Sequence, residues 1–355
     1  LLMGKAYYQK GEYVRARDKF EALELFYPDS RLRSEGAFYR GLCYIEEKNY
    51  GFAVAVFNEL AERDSRYKEV CNFKIGLIYF LQQEYSKVIE HYKSFLNYYP
   101  RSRYRVEAWS LMGKSAFEMK DYNSALNYYY SALNRVKIRE QAKEIKLNII
   151  QCQIAIKDYE NGLRSLKDAT EPEFLIMKAK ILNAAGKKDE QLKLLMSLSK
   201  DQLTNELMAE VFCEIGSLYK EKNAYDSALI YFDSAYARSS TSLWGENSIK
   251  CKQTINKILE YQALSKEDPA RAQFLLAELY FVNLSDTNRA LSEYEKVYRE
   301  YPKSEFAPKA MYAWAWIQEY FLKQDSIAKA SYRLLIEKYP NTEYSNAARE
   351  KLRGQ

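Results

Sequence analysis

The chain contains one histidine, His91, and five cysteines, Cys43, Cys71, Cys152, Cys213 and Cys251. These are the residue types that most often bind zinc or act as nucleophiles, so any chemistry would be sought here first. No two cysteines form a CxxC pair, and a lone histidine with scattered cysteines does not assemble a usual zinc site. A Ser–His–acid arrangement would need His91 beside a nucleophile, and nothing in Glu90-His91-Tyr92 marks one. Gly113-Lys114-Ser115 ends like a phosphate loop but lacks the upstream glycine, and Gly4 and Gly11 are set apart by a repeat spacing. Glu46-Glu47 fits a solvated turn. The sequence therefore predicts no enzyme, no metal site and no cofactor. The cysteines all fall in helical patterns and read as small apolar residues. Their odd number argues against a disulfide framework.

Composition narrows the class further. The 355 residues are 47% hydrophobic and 29% charged, with only 12 Gly and 7 Pro, which argues against long loops. Lys and Arg total 54 against 48 acidic residues, a net charge of +6. The basic residues are interleaved with acidic ones, so the basic stripe expected of a nucleic-acid binder is missing. Tyrosine is abundant, at 33 residues. Its amphipathic ring suits thin, half-wet helical layers, and it also suits a contact surface. No run is long and apolar enough to be a transmembrane segment. Leu1-Leu2-Met3 already lies in a helix pattern, so the first repeat reads as truncated, and any export signal would lie upstream.

What positions these residues is a repeat. Gly76, Tyr79, Tyr85, Val88, Tyr92, Phe95 and Pro100 share their spacing with Gly4, Tyr7, Tyr13, Ala16, Phe20, Leu23 and Pro28. The glycines of the first four copies are Gly4, Gly41, Gly76 and Gly113, at intervals of 37, 35 and 37. Each is followed by a tyrosine nine residues on (Tyr13, Tyr50, Tyr85, Tyr122), then by Ala16, Ala53, Val88 and Ala125, then by Phe20, Phe57, Tyr92 and Tyr129. The later spacing is helical, and a short polar break precedes it, so each copy predicts a helix–turn–helix. Gly and Ala let two helices approach while the aromatic ring fills the wedge. Pro28 and Pro100 end second helices, and Ser30 and Ser102 are placed to cap the next helix.

Residues 1–137 hold four clear copies. Residues 138–265 are degenerate: Ile150 replaces the glycine of one copy, and the next, around Gly186, reads as shortened. A strong copy returns at 206–240 (Gly216, Tyr219, Tyr225, Ala228, Phe232, Ala235), followed by one longer helix over 244–264. Residues 266–355 hold two more copies, read on Ala277, Tyr294 and Pro302 and on Ala313, Tyr332 and Pro340. An extra residue is placed in a turn at Asn283–Asn288. Tyr344, Ala347, Ala348 and Leu352 predict a capping helix over 343–352. Pro172 and Pro269 fit the first turn of a helix.

The pattern resembles the tetratricopeptide repeat, most fully in Trp109, Gly113, Ala125 and Ala132 and in Gly4, Tyr7, Ala16, Phe20 and Pro28. The resemblance implies an all-α, right-handed superhelical solenoid of about nine helix–turn–helix repeats that binds a protein or peptide and catalyses nothing. The phrase Tyr-Pro-x-Ser/Thr-x-Phe/Tyr occurs at Tyr99-Pro100-Arg101-Ser102-Arg103-Tyr104, Tyr301-Pro302-Lys303-Ser304-Glu305-Phe306 and Tyr339-Pro340-Asn341-Thr342-Glu343-Tyr344, and in part at Tyr27-Pro28-Asp29-Ser30. It is similar to the bacterial envelope branch of BamD-type outer-membrane assembly lipoproteins and YbgF-type periplasmic proteins. That branch implies a periplasmic or outer-membrane-associated scaffold with envelope partners. The alternative settings are a cytoplasmic protein and a self-associating structural subunit.

In this family the first helices make the inner surface. Beside the packing glycines there lie Phe38, Leu42 and Ile45 in the second copy, Phe73, Leu77, Phe80 and Leu81 in the third, and Phe117 in the fourth. The equivalent residues are more polar in the first copy (Lys5, Gln9) and in the 206–240 copy (Ser217, Lys220, Glu221). Two readings are open: a partner groove across three repeats, or a wide core face. Periodicity does not separate them.

Overall fold

The computed structural model describes residues 1–200 and 203–353. Among these residues there are twenty α-helices, one π-helical segment and no strand. The chain divides into two compact units, Leu1–Leu194 and Leu195–Gln355. From the N-terminus, the helices pair as α1 (Leu2–Gln9) with α2 (Tyr13–Phe26), α3 (Arg33–Glu46) with α4 (Tyr50–Arg63), and α5 (Ser65–Leu81) with α6 (Tyr85–Tyr98). Then come α7 (Arg105–Glu118) with α8 (Tyr122–Leu133), α9 (Arg139–Ala155) with α10 (Tyr159–Ser165), and α11 (Pro172–Ala184) with α12 (Lys188–Leu198). The second unit holds α13 (Asn205–Glu221) with α14 (Tyr225–Arg238), the unpaired long α15 (Leu243–Leu264), α16 (Pro269–Glu278) with α17 (Thr287–Glu300), α18 (Phe306–Tyr320) with α19 (Asp325–Lys338), and a final α20 (Glu343–Arg353). These are nine helix pairs, one long helix and one terminal helix, as the periodicity predicts.

Each pair closes with the same backbone device. One residue per turn has positive φ: Gly11, Lys48, Gln83, Lys120, Lys157, Gly186, Asn223, Ser285 and Lys323. The next amide reaches back over the turn, as in Glu12 N–H to Tyr7 O at 3.0 Å and Glu84 N–H to Tyr79 O at 2.9 Å, which satisfies a carbonyl at the helix end. The last two pairs are one residue wider, with Asp286 N–H reaching Tyr280 O and Gln324 N–H reaching Gln318 O. The extra residue of the first of these is not in a turn at 283–288. It is absorbed by the π-helical segment Leu279–Asn283 that continues α16.

The glycines do what their spacing predicts. A Cβ on Gly4, Gly41, Gly76, Gly113 or Gly216 would lie 2.5, 2.5, 2.5, 2.6 or 2.9 Å from the ring of Phe20, Phe57, Tyr92, Tyr129 or Phe232, respectively. The degenerate copy exchanges volume between the same two positions. Ile150 stands where the glycine does, and Leu166 stands where the ring does; both are buried in one cluster with Met177 and Ile181. In the last pair the small residue against Tyr332 is Ala315, fully buried, rather than the half-buried Ala313.

The Tyr-Pro phrase has a local structural role. Tyr27, Tyr99, Tyr301 and Tyr339 end α2, α6, α17 and α19 in non-helical conformations, and the hydroxyls two residues past each proline take up the free amides beyond them. Ser30 Oγ accepts from Leu32 N–H (3.2 Å), Ser102 Oγ from Tyr104 N–H (2.9 Å) and Ser304 Oγ from Phe306 N–H (3.1 Å). Pro172 and Pro269 begin α11 and α16, as expected. The copy around Gly186 is short, with 11 residues in α12, but the greater shortening falls on the copy containing Ile150: α10 has 7 residues, against 14 in α2, α4 and α6.

Candidate functional site

Neighbouring first helices of the first unit touch, α3 with α5 and α5 with α7, so equivalent side chains lie side by side. Ion pairs mark this register. Lys5 of α1 pairs with Glu35 of α3 at 2.5 Å, and Lys114 of α7 pairs with Glu144 of α9 at 2.8 Å. By repeat spacing, the positions matching Lys5 and Lys114 are Leu42 and Leu77 in the two copies between them. The positions matching Glu35 and Glu144 are Val70 in α5, which is apolar, and Glu107 in α7, which keeps its charge. The ladder of charges is thus interrupted by an apolar stretch on α3 and α5.

The structure sorts the eight residues singled out from the sequence. Phe73 is a correction: it is 5% exposed and belongs to the core, stacked on Tyr104 with ring centroids 4.5 Å apart. It has no surface to offer a partner. Phe38, Leu42 and Ile45 are half-buried and pack on the core beneath α3 and α4. Leu77, Phe80 and Phe117 are also half-buried, Phe80 leaning on Tyr85 and Phe117 on Tyr122. Leu81 is exposed, at 41%. The surface is therefore the outer edge of a packed layer, with Leu81 its most accessible apolar side chain.

Sequence reasoning missed Lys74, which lies on α5 between Phe73 and Leu77. Burial pushes its ammonium below the ordinary lysine range, and the negative fields of Glu107 and Glu46 oppose that shift in part. A lysine amid an apolar helix face was the available signal, visible in Phe73-Lys74-Ile75.

The residues with chemical potential are quiet. Burial raises the Cys43, Cys71 and Cys152 thiols to about 12 and the Cys213 thiol to about 11, so each is protonated and a poor nucleophile at neutral pH. Cys251 is half-buried. Among the described residues, no group of three or more His, Cys, Asp or Glu is placed to hold a metal ion, and no helix is long and apolar enough to cross a membrane. His91 is half-buried beneath Tyr79, and its Nε2–H donates to the Asn72 carbonyl at 2.7 Å.

Burial lowers the pKa of His91 below 6.5, with the Asn72 carbonyl opposing the shift. The unfolded chain then binds the proton more readily than the folded one as pH falls through 6.5 and below. The stability tied to neutral His91 is complete above that pH and is lost on acidification. Thermal unfolding midpoints should fall between pH 7 and pH 5, and His91→Gln should flatten that step. Parallel pH profiles for the two proteins would clear His91 of the effect.

Sequence profiles described as tetratricopeptide repeat match residues 1–67, 71–102, 209–241, 271–304 and 309–342, together more than half of the chain. No curated protein matches it. Among solved structures, the chain is similar to a tetratricopeptide repeat protein from Parabacteroides merdae, with 13% identity over 70% of this chain and 96% of that one and a TM-score of 0.47. It is also similar to YrrB, described as a TPR protein with an unusual peptide-binding site, at 14% identity, 65% and 97% coverage and a TM-score of 0.34. A third is the Naa15/Naa10 complex bound to HypK-THB, at 16% identity, 99% and 60% coverage and a TM-score of 0.38. The matched segments coincide with the helix pairs, their glycine–aromatic contacts and their shared turn, and the chain belongs to the tetratricopeptide-repeat family.

Proposed function

We propose that the chain is a non-enzymatic protein-interaction scaffold, and that the first-helix face over α3, α5 and α7 receives a segment of a partner protein. The observation that carries this reading is the interrupted charge ladder. Lys5–Glu35 and Lys114–Glu144 flank a stretch where Leu42, Val70 and Leu77 stand instead, with Leu81 exposed beside them. Apolar side chains at the rim of a helix layer bind a partner's apolar anchors, while flanking charges fix its register. Lys74 adds one cation, already partly desolvated, that a carboxylate of the partner would satisfy. The bacterial-envelope setting is part of this proposal and rests on the Tyr-Pro-x-Ser/Thr-x-Phe/Tyr phrase.

The test is selection of peptides from a displayed random library on the purified chain, followed by titration against Leu77→Glu/Leu81→Glu. The selected peptides should bind the double variant at least about tenfold more weakly, a loss of roughly 1.4 kcal/mol. Its unfolding midpoint should stay near that of the parent, because Leu81 is exposed and Leu77 half-buried. Peptides that bind both proteins equally would remove this face as the site.

A further inference from the structure

The truncation of α10 leaves a cavity of about 440 Å³ in the first unit. The second helices of the neighbouring repeats, α8 and α12, run for 12 and 11 residues, whereas α10 stops at Ser165 after 7 and the chain turns through 166–171 into α11. The walls include Leu133, Ile149, Ile150, Leu166 and Phe174. Gln153 also lines the cavity. It occupies the position held by Tyr7, Tyr44, Tyr79 and Tyr219 in other copies, three residues after the helix-crossing residue. Gln153 is 5% exposed, and its Oε1 is buried with no hydrogen-bond partner. An orphan acceptor of this kind is destabilising unless something donates to it.

The volume narrows the occupant. It lies within the range of about 300–1,000 Å³ typical of small-molecule sites, which pair apolar walls with a few placed polar groups. The rim is balanced in charge, with Lys146 and Arg164 against Asp168 and Glu171, and so favours neither an anion nor a cation. We propose that this cavity binds an uncharged, largely apolar small molecule that donates one hydrogen bond to Gln153.

Two probes of nearly the same shape test it: 4-phenylphenol, which carries a hydroxyl donor, and 4-methoxybiphenyl, which does not. Calorimetric titration of the full chain should show 4-phenylphenol binding with a Kd below about 1 mM, and at least about tenfold tighter than the ether. Gln153→Leu should erase that preference while the ether still binds, and Ala169→Phe, which fills the cavity, should block both probes. Should Gln153→Leu lose its helical circular dichroism, Gln153→Met replaces it. Leu77→Glu/Leu81→Glu should bind the phenol normally, which keeps this site separate from the first-helix face. Equal binding of the two probes by the parent, a preference that survives loss of Gln153, binding that survives Ala169→Phe, or no binding at about 1 mM would each overturn the proposal.

Discussion

Gly76→Ala should destabilise the first unit by about 1–3 kcal/mol, and Gly76→Leu by at least as much. A Cβ at this position would lie 2.5 Å from Tyr92 Cζ, 2.7 Å from Tyr92 Cε1 and 2.9 Å from His91 Cδ2. Tyr92 has nowhere to retreat: it is fully buried, and its hydroxyl donates to the Phe73 carbonyl at 3.0 Å. Alanine is the better helix former by about 1 kcal/mol, but overlap with a locked ring outweighs that gain. Repeats couple chiefly to their neighbours, so amide exchange should quicken over residues 40–140 and hardly change beyond 266. A uniform loss of protection along the chain would contradict a stacked-repeat architecture.

Phe73→Ala should have the larger effect, about 3–5 kcal/mol, while Leu81→Ser, on the same helix, should stay within about 0.5 kcal/mol. Phe73 packs on Tyr104, Tyr92 and Phe95 with ring centroids 4.5, 5.6 and 6.1 Å apart, and truncation would leave that space open. Leu81 ends α5 and is 41% exposed. Because arrays of repeats need not unfold in one step, the comparison is best made by amide protection within α5–α7 rather than by a single global midpoint. Comparable losses in the two variants would mean that Phe73 is not the core residue its burial indicates.

The repeat architecture was legible because its defining contacts are local. A glycine in one helix and a ring sixteen residues later, as in Gly41 and Phe57, meet across a single turn, so sequence spacing alone encodes the packing. The candidate surface was less legible. Phe73 and Phe80 are seven residues apart, nearly the same angle around α5, and the helical period assigns them one face. What separates them is height along the helix. Tyr104, arriving from the turn before α7, covers Phe73, whereas Phe80 sits near the helix end against Tyr85. Periodicity reports angle and is silent about what covers each level. The extra residue between Ala277 and Tyr294 was countable in the same way, but its home in the π-helical segment Leu279–Asn283 depends on hydrogen bonding that no spacing records. Gln153 was visible as a departure from tyrosine, yet the cavity beside it depends on where α10 stops.

The short α10 also bears on how the first unit gains its structure in time. It makes some of the thinnest contacts with its neighbours of any helix in the unit. In a linear array, order spreads from a nucleus by adding one neighbour at a time, and it stalls where the next unit returns least. The four strong repeats of residues 1–137, each closed by a glycine–ring contact, can condense on their own. Growth from that side then meets the α9–α10 pair as a step of low return. An intermediate with α1–α8 formed and residues 139–194 still open is the expected pause on the way to the native unit, and the same segment is where mechanical tension would first part the array.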